Sequence, residues 1–281
     1  MAVLTTFRLA DPFGQHLIEI ANYASLDYVL NCAPGGIGVL ELELPLSFNR
    51  SLLMEDGRIG VWRAISGRPP YLDNGAIYLI RHIDYGPTSI RVRAYHATSL
   101  LDRRIIAYDA GTTYTRKAAT FADDLIKTFV NENMLAGIVG ADRDGVETYA
   151  DVSAYLTKQA NLSLGASIAK AATRRRLLDV CVDLANASNT AGTYLTFEII
   201  APTESTLELR TYTTQRGVDR RASTANPVIL STLKGNLENA HLVTDYTAAA
   251  SFIIAGGQGE EENRIIGTAF DSVRAGVSPF G

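Results

Sequence analysis

The sequence predicts an α+β protein built mainly from antiparallel β-strands. Three observations lead to that fold class: short runs in the first third alternate apolar and polar residues, the middle carries apolar residues at helical spacing, and the last third returns to short strands. Turn-forming residues separate the short runs, which is typical of sandwiches and barrels rather than of parallel α/β sheets. We therefore expect three domains, a β domain at 1–110, a helical domain at 111–190 and a second β domain at 191–281.

In the first third, the clearest strand pattern lies at residues 38–45. Leucine alternates there with glutamate, so that Leu40, Leu42 and Leu44 share one face. Pro45 ends the strand because proline cannot donate to the hydrogen-bond ladder. The Asn-Gly pair at 74–75 predicts a turn, since both residues tolerate positive φ. The same reasoning predicts further strands at 13–20, 23–30, 57–63, 76–83 and 89–95.

The middle third predicts two helices separated by a loop. The first runs from Thr120 to Asn133, with Thr120 as the N-cap and two aspartates in the first turn, where the helix dipole favours them. The second runs from about Ala171 to Asn186. A glycine- and aspartate-rich loop is expected at 137–149.

The last third predicts a hairpin around Pro202 and several later strands. The hairpin strands are expected at 194–200 and 206–212, where apolar and polar residues alternate. Later strands are expected at 227–230, 240–246, 248–254 and 263–273.

Composition and charge exclude several classes of protein. The 281 residues are 47% hydrophobic and 20% charged, which does not fit an intrinsically disordered chain. No apolar run approaches the ~20 residues that span a bilayer, and the segment before Asp11 lacks the pattern of a secretory signal. A net charge of −4 argues against a dedicated nucleic-acid binder. Cys32 and Cys181 lie far apart in sequence, so neither a disulfide scaffold nor a structural zinc site is expected.

The sharpest local feature is a glycine-rich run followed by three glutamates: Gly256, Gly257, Gln258, Gly259, Glu260, Glu261 and Glu262. A phosphate-binding loop would need a Gly-Lys-Ser/Thr ending or a helix after the last glycine, and the glutamates would repel an anion. The Gly-Gly-Gln tripeptide also occurs in peptide-chain release factors, but there it works beside RNA, where a basic context is expected. We predict a wide turn between two strands, because glycine accepts positive φ.

No candidate catalytic, cofactor-binding or metal site emerges from the spacing of reactive residues. Residues 142–145 match part of a calcium loop, but the third acidic residue and the closing glutamate are absent or misplaced, so a surface turn is expected. No two of the four histidines have metal-ligand spacing. His82 and His96 lie on neighbouring predicted strands and could approach each other, but a hydrogen-bonded or exposed strand histidine is the favoured interpretation. No nucleophile motif is present. The histidines are His16, His82, His96 and His241.

Basic residues form five short clusters along the chain. A nucleic-acid interface would need them on one face with stacking aromatic side chains, whereas here they are spread out and outnumbered by acids. Salt bridges within an oligomer, or solvated faces, are expected instead. The clusters are Arg91/Arg93, Arg103–Arg104, Arg116–Lys117, Arg174–Arg176 and Arg220–Arg221.

Three segments of the chain resemble the siphophage tail-hub (baseplate hub) family, the ReqiPepy-like tail proteins. The first is GIGVLELELP at 36–45 leading into GVWR at 60–63, and the second is DLIKTFVNEN at 124–133 followed by RLLDVCVDLA at 176–185. The third, SFIIAGGQGEEENR at 251–264, is the most specific, because it contains the glycine-rich run. The resemblance covers nearly the whole chain in order.

The resemblance implies a structural part of the virion, located in the phage tail tip and assembled in the host cytoplasm. It implies two tail-tube-like β-barrel domains with a helical, loop-rich middle, and a homotrimer that joins the tail tube and the distal tail protein to tip or fibre proteins. The tape-measure protein would end there, and DNA would only pass through during genome ejection. Members usually continue past the glycine-rich turn, so a final set of strands is expected to be missing, shortened or supplied by another chain. Neither a cofactor nor a membrane span is implied.

Two other functions remain as hypotheses. One is a β-rich receptor- or carbohydrate-binding module of the tail tip, in which Trp62, Tyr71 and Tyr85 would form a sugar-stacking face. The other is a tail-associated hydrolase, for which no paired-carboxylate or nucleophile spacing is present, so we expect no enzyme. For a hub, the seven residues from Gly256 to Glu262 are the candidate structural or interface turn of the family, and Glu260 to Glu262 are the candidates for a polar loop at an interface or in the lumen.

Overall fold

The computed structural model describes residues 3–65, 69–135, 143–144, 151–214, 216, 219–221, 223, 227–237, 241, 252–258 and 264–277. The chain divides into two compact units, Met1–Gly217 (unit 1) and Val218–Gly281 (unit 2). Antiparallel pairs dominate in the described part of the chain, and three α-helices accompany them. The predicted fold class, α+β with mainly antiparallel strands, is confirmed.

Unit 1 begins with a seven-stranded antiparallel sheet. Its strands are β1 (Val3–Ala10), β2 (His16–Ile20), β3 (Ser25–Tyr28), β4 (Val39–Pro45), β5 (Arg58–Ile65), β6 (Tyr71–Tyr85) and β7 (Ser89–His96). They lie in the order β2-β1-β5-β6-β7-β4-β3. The alternation predicted for β4 is confirmed, because Leu40, Leu42 and Leu44 are buried while Glu41 is exposed. Strand β1 was not predicted.

The sheet curls around one apolar core. Ile20 from β2 at one edge belongs to the same core as Leu40 of β4 and Ile59 of β5, and Leu26 of the opposite edge strand β3 packs against it. The strand pairs nevertheless leave β2 and β3 as open edges. Among the described residues no closed barrel is found, so the prediction of two barrel domains is not confirmed.

The rest of unit 1 packs on the other face of β6. A 3-10 helix covers Ala97–Arg103, and the remaining elements are β8 (Tyr108–Asp109), β9 (Arg116–Phe121), α1 (Ala122–Met134), β10 (Arg143–Asp144), β11 (Leu156–Lys158), β12 (Ser167–Ala171), α2 (Leu177–Thr190), β13 (Thr196–Ile200) and β14 (Leu207–Tyr212). A second apolar core joins Ile77 and Leu79 of β6 to both helices and to β13 and β14. The predicted hairpin of β13 and β14 is confirmed. The domain boundaries near 110 and 190 stay predictions.

Both predicted helices begin later than expected. Helix α1 begins at Ala122 with Phe121 at the N-cap position, and Thr120 lies in β9 instead of capping the helix. Helix α2 begins at Leu177, because residues 167–171 pair with β9 as strand β12. Arg174 then has a φ of 57°, which a right-handed helix does not allow.

A buried ion pair fixes the first turn of α1. Lys127, 0% exposed, places its Nζ 2.9 Å from Oδ2 of Asp123 and donates a second hydrogen bond to the carbonyl of Ala160 at 2.8 Å. The Asp123 carboxylate also accepts the amides of Leu162 (3.2 Å) and Leu164 (2.8 Å). Asp124 accepts the amide of Ser163. The two aspartates of the first turn therefore hold the 160–164 loop.

The Asn-Gly pair lies inside a strand and not between two strands. Asn74 and Gly75 have φ values of 53° and 65°, and the pairing of β5 with β6 shifts register beside them. The Gly75 carbonyl accepts the amide of Ala201 at 2.7 Å, just after β13. The predicted turn is thus a bulge in β6 that contacts the second core, so the strand predicted at 76–83 runs from Tyr71 to Tyr85.

Unit 2 contains a hairpin of β15 (Phe252–Gly256) and β16 (Ile266–Phe270), a 3-10 helix at Thr232–Lys234 and the short helix α3 (Ser272–Val277). The strand predicted at 263–273 is shorter, because α3 begins at Ser272. Residues 227–230 are not in a strand. The strand predicted at 240–246 and most of the loop predicted at 137–149 lie outside the described residues. No helix in the described part of the chain is both long and apolar enough to cross a membrane.

Candidate interaction surface

The glycine-rich run extends the hairpin of unit 2 beyond its two strands. The Gly257 amide donates to the Ile265 carbonyl at 2.7 Å, and the Ile265 amide donates to the Gln258 carbonyl at 3.2 Å. A Cβ on Gly257 would lie 3.3 Å from the Ile265 carbonyl oxygen, so a glycine allows this close cross-strand approach. Of the seven predicted interface residues, Gly256, Gly257 and Gln258 therefore continue the ladder. Gly259 and Glu260 to Glu262 lie outside the described residues.

Both faces of the hairpin are apolar. On one face Phe252 pairs with Phe270, and Ile254 and Ile266 lie beside them. On the other face Ile253 pairs with Ala269, and small residues follow. Six large apolar side chains of the hairpin are each more than half exposed: Phe252, Ile253, Ile254, Ile265, Ile266 and Phe270. Soluble monomers rarely expose a contiguous apolar surface of this kind, so the hairpin is a candidate interaction surface.

The exposure extends over the described part of unit 2. None of its described residues is buried, and four more large apolar side chains are more than half exposed: Val228, Ile229, Leu230 and Leu233. Val273 of α3 is exposed as well. Sequence reasoning predicted strands here but missed the surface. The only signal was the run Phe-Ile-Ile, which lacks the alternation expected of a strand with one solvated face.

His82 and His96 agree with the favoured interpretation of an exposed or a hydrogen-bonded strand histidine, and they do not face each other. In the pairing of β6 with β7, His82 lies opposite Arg93, whereas His96 lies opposite Tyr78. His96 is buried, with its Nδ1 3.0 Å from Oγ1 of Thr98. Burial and, secondarily, the nearby Arg216 lower the pKa of His96 to about 4, so its imidazole is neutral at pH 7.

The remaining two histidines lie one in each unit. His16 lies on β2 with its Nδ1 3.2 Å from Oε1 of Glu204, and His241 is exposed in unit 2. No group of three or more His, Cys, Asp or Glu side chains among the described residues could hold a metal ion. Both cysteines are free, with Cys32 exposed and Cys181 buried.

Most of the basic clusters are neutralised within the chain. Arg93 donates to Glu41 at 2.9 Å across β4 and β7, which is a pair within the chain. Four further pairs follow the same pattern: Arg103 with Asp56, Lys117 with Asp109, Arg175 with Asp183, and Arg176 with Asp102. In unit 2, Arg221 pairs with Asp219. Salt bridges between the subunits of an oligomer stay a prediction. Residues 143–144, from the supposed calcium loop, pair with β8 instead, and the residues flanking them lie outside the described part.

The three aromatic residues of the sugar-binding hypothesis do not form one face. Trp62 is covered by the Arg8 guanidinium, 4.2 Å from the ring centroid. Tyr71 and Tyr85 lie at opposite ends of β6, where Tyr71 is opposite Arg63 of β5 and Tyr85 is opposite Ile90 of β7. The geometry therefore does not favour the carbohydrate-binding alternative.

Comparisons with known proteins point to one family. The chain matches the family described as Siphovirus ReqiPepy6 Gp37-like protein over residues 15–275. Similar solved structures include the prophage tail protein gp18 from Listeria monocytogenes EGD-e, with 10% identity and a TM-score of 0.46 over 95% of this chain and 68% of that one. Another is the 43 kDa tail protein of prophage MuSo2 from Shewanella oneidensis, with 11% identity and a TM-score of 0.43 over 97% and 66%. No curated protein matches the chain.

Proposed function

This chain belongs to the Siphovirus ReqiPepy6 Gp37-like protein family of phage tail proteins, and on that premise we propose that it is a baseplate hub at the tail tip. In this role it joins the tail tube and the distal tail protein to tip or fibre proteins, and it surrounds part of the channel through which DNA leaves. The role is structural and not catalytic. Assembly takes place in the host cytoplasm before the tail is complete.

The observation that carries this proposal is the hairpin of β15 and β16 with its two exposed apolar faces. One flat partner surface would cover only one of them. In a closed ring with a heterologous contact, each subunit has two neighbours, so one neighbour covers each face. Ring closure also removes the open strand edges that would otherwise recruit further chains. The number of subunits, three, comes from the family resemblance.

Charge supports the passage of DNA without retention. The net charge of the chain is −4, and most of the basic clusters described above are paired with carboxylates. Nucleic acid is held chiefly by unpaired cationic groups that displace counterions from its phosphates. A hub of this charge can surround DNA without a tight electrostatic contact.

The test is the solution mass of the full chain, by light scattering coupled to size exclusion. We expect a trimer, three times 30.4 kDa. Ile254→Arg and Ile253→Arg each place a charge on one face of the hairpin and should each prevent ring closure. Val29→Arg changes an exposed apolar residue of unit 1 and serves as the control that keeps the trimer.

An equimolar mixture of the two hairpin variants sharpens the test. Each variant retains the face that the other has lost, so the mixture should form one intact contact and stop at a dimer. A wild-type chain that stays monomeric at every concentration contradicts the proposed assembly. A trimer that survives both substitutions would show that the hairpin is not the contact.

A further inference from the structure

Unit 1 contains a half-open cavity of about 390 Å³ that the proposed ring contact does not use. Its floor belongs to the second core and includes Leu79, Met134 and Leu207, all nearly fully buried. At its rim, the rings of Phe13 and Tyr155 lie 5.4 Å apart. Ligand pockets in proteins begin at about 300 Å³, so this one has room for one or two side chains.

A buried guanidinium forms part of the cavity wall. Arg58 is 2% exposed, and its Nε and Nη1 donate to the main-chain carbonyls of Pro12 (3.1 Å) and Ser205 (2.9 Å), with a longer contact from Nη1 to that of Glu204. Its hydrogen bonds to described residues all go to carbonyl oxygens, and its Nη2 makes none. Burial lowers the pKa of Arg58 more than the negative charge of Asp11 raises it. Buried charges are normally paired with an opposite charge, and in the described part of the chain Arg58 pairs only with dipoles.

Three further charged residues among those that the structure describes line the cavity. Asp56 is the acidic one, and it is engaged by Arg103 at 2.8 Å and by Arg81 at 3.2 Å, so that Asp56 and Arg103 neutralise each other. Arg104 lines the cavity as well. The charge beside the apolar floor that no described carboxylate pairs with is therefore that of Arg58.

We propose that this cavity binds an acidic side chain flanked by apolar residues, presented by a segment of a partner protein. The carboxylate meets Nη2 of Arg58 at the wall of the cavity, while an adjacent aromatic or aliphatic side chain fills the floor. Complementary charge identifies the occupant, because arginine pairs with carboxylates through a planar fork. A nucleic-acid strand does not fit, since it needs an extended basic groove with exposed stacking rings. The inference rests on the proposed joining role, for which it names the chemistry of one contact.

The probe is the peptide acetyl-Leu-Phe-Glu-Leu-amide, titrated into the full chain by isothermal titration calorimetry at low salt. The matched control peptide has Gln in place of Glu. We expect the glutamate peptide to bind at least about tenfold more tightly, the effect of a charge-assisted hydrogen bond. Arg103→Gln should weaken binding of the glutamate peptide and leave that of the glutamine peptide unchanged. Leu100→Trp, which fills the cavity from a half-buried position, should abolish both.

Equal affinity for the two peptides, or unchanged binding by Leu100→Trp, would overturn the proposal. Tight binding of decanoate without binding of either peptide would also overturn it, because the occupant would then be a lipid carboxylate. Ile254→Arg separates this result from the proposed assembly, since it should block the trimer and still bind the peptide. Circular dichroism on each variant checks that the fold is retained.

Discussion

Unit 1 and unit 2 differ in where their large apolar side chains lie. Unit 1 buries two apolar cores, one inside the curled sheet and one between β6 and the helices. The described part of unit 2 buries none, and its hairpin exposes apolar side chains on both faces. Hydrophobic burial is the main favourable term in folding. Unit 1 therefore carries its stability within one chain, whereas in the proposed assembly unit 2 would gain its burial from association.

The largest expected effect that distinguishes the units is the loss of the buried ion pair in α1. Asp123→Asn leaves Lys127 charged, buried and without its carboxylate, and breaking such a pair costs about 3–5 kcal/mol. Asp219→Asn, in unit 2, removes an exposed pair with Arg221 and should leave unit 1 unchanged. The measurement is urea unfolding followed by fluorescence of Trp62, the single tryptophan, which lies in unit 1. Equal loss in both variants would contradict the comparison.

The second effect is a pH dependence that arises in unit 1. The folded-state pKa of His96 is lowered to about 4, so the folded state favours neutral imidazole and the unfolded chain binds the proton first. The stabilisation of the fold by neutral His96 is fully present above pH ~6.5. It is lost as the pH falls from there through about 4, which lowers the free energy of unfolding by about 3 kcal/mol in all. His96→Leu should remove that part of the slope, and His241→Leu, in unit 2, should keep it. Identical pH profiles for wild type and His96→Leu would refute the assignment.

The smallest effect concerns two glycines in strands. Gly75 has a φ of 65° in the bulge of β6, and a Cβ there would lie 3.3 Å from the Cβ of Ile200. Gly75→Ala should therefore cost about 1–3 kcal/mol. Gly267→Ala, in β16, places its Cβ more than 4 Å from every described neighbour and should change stability by less than about 0.5 kcal/mol. The same Trp62 unfolding assay measures the first, and the solution mass checks that the second leaves assembly intact.

Local patterns in the sequence predicted the strands with one solvated face. Strand β4 followed from its alternating leucines and glutamates, and β14 from the alternation around Glu208. Strand β1 was missed because Thr5 interrupts the in-phase apolar residues Val3, Phe7 and Leu9, and because Leu4 and Ala10 are apolar out of phase. The Asn-Gly chemistry at 74–75 was identified correctly, but its position inside β6 depends on the contact with Ala201, more than 100 residues away.

The end of the unit 2 hairpin could be predicted from the sequence, but its exposed apolar surface could not. The glycine-rich run marked the end of a strand, and the structure extends the pairing through Gly257. Strands with apolar residues on both faces are normally buried on both faces. The sequence therefore could not reveal that Ile253 and Ile254 are both exposed. The cavity around Arg58 was equally out of reach, because its lining comes from segments between Pro12 and Leu207.

The positions of the core residues along the chain set the order in which the parts of the protein can fold during translation. All residues of the sheet core have left the ribosome once residue 94 has emerged. The second core also needs Leu209. Arg58 likewise waits for Ser205, its hydrogen-bond partner 147 residues further along the chain. Bacterial chains grow at about 5–20 residues per second, so unit 1 has roughly 2–9 s to close before Phe252 emerges. The exposed hairpin is thus translated after unit 1, when unit 1 can already be folded. In the proposed assembly, nascent chains on one message would then meet as folded subunits more often than as aggregating intermediates.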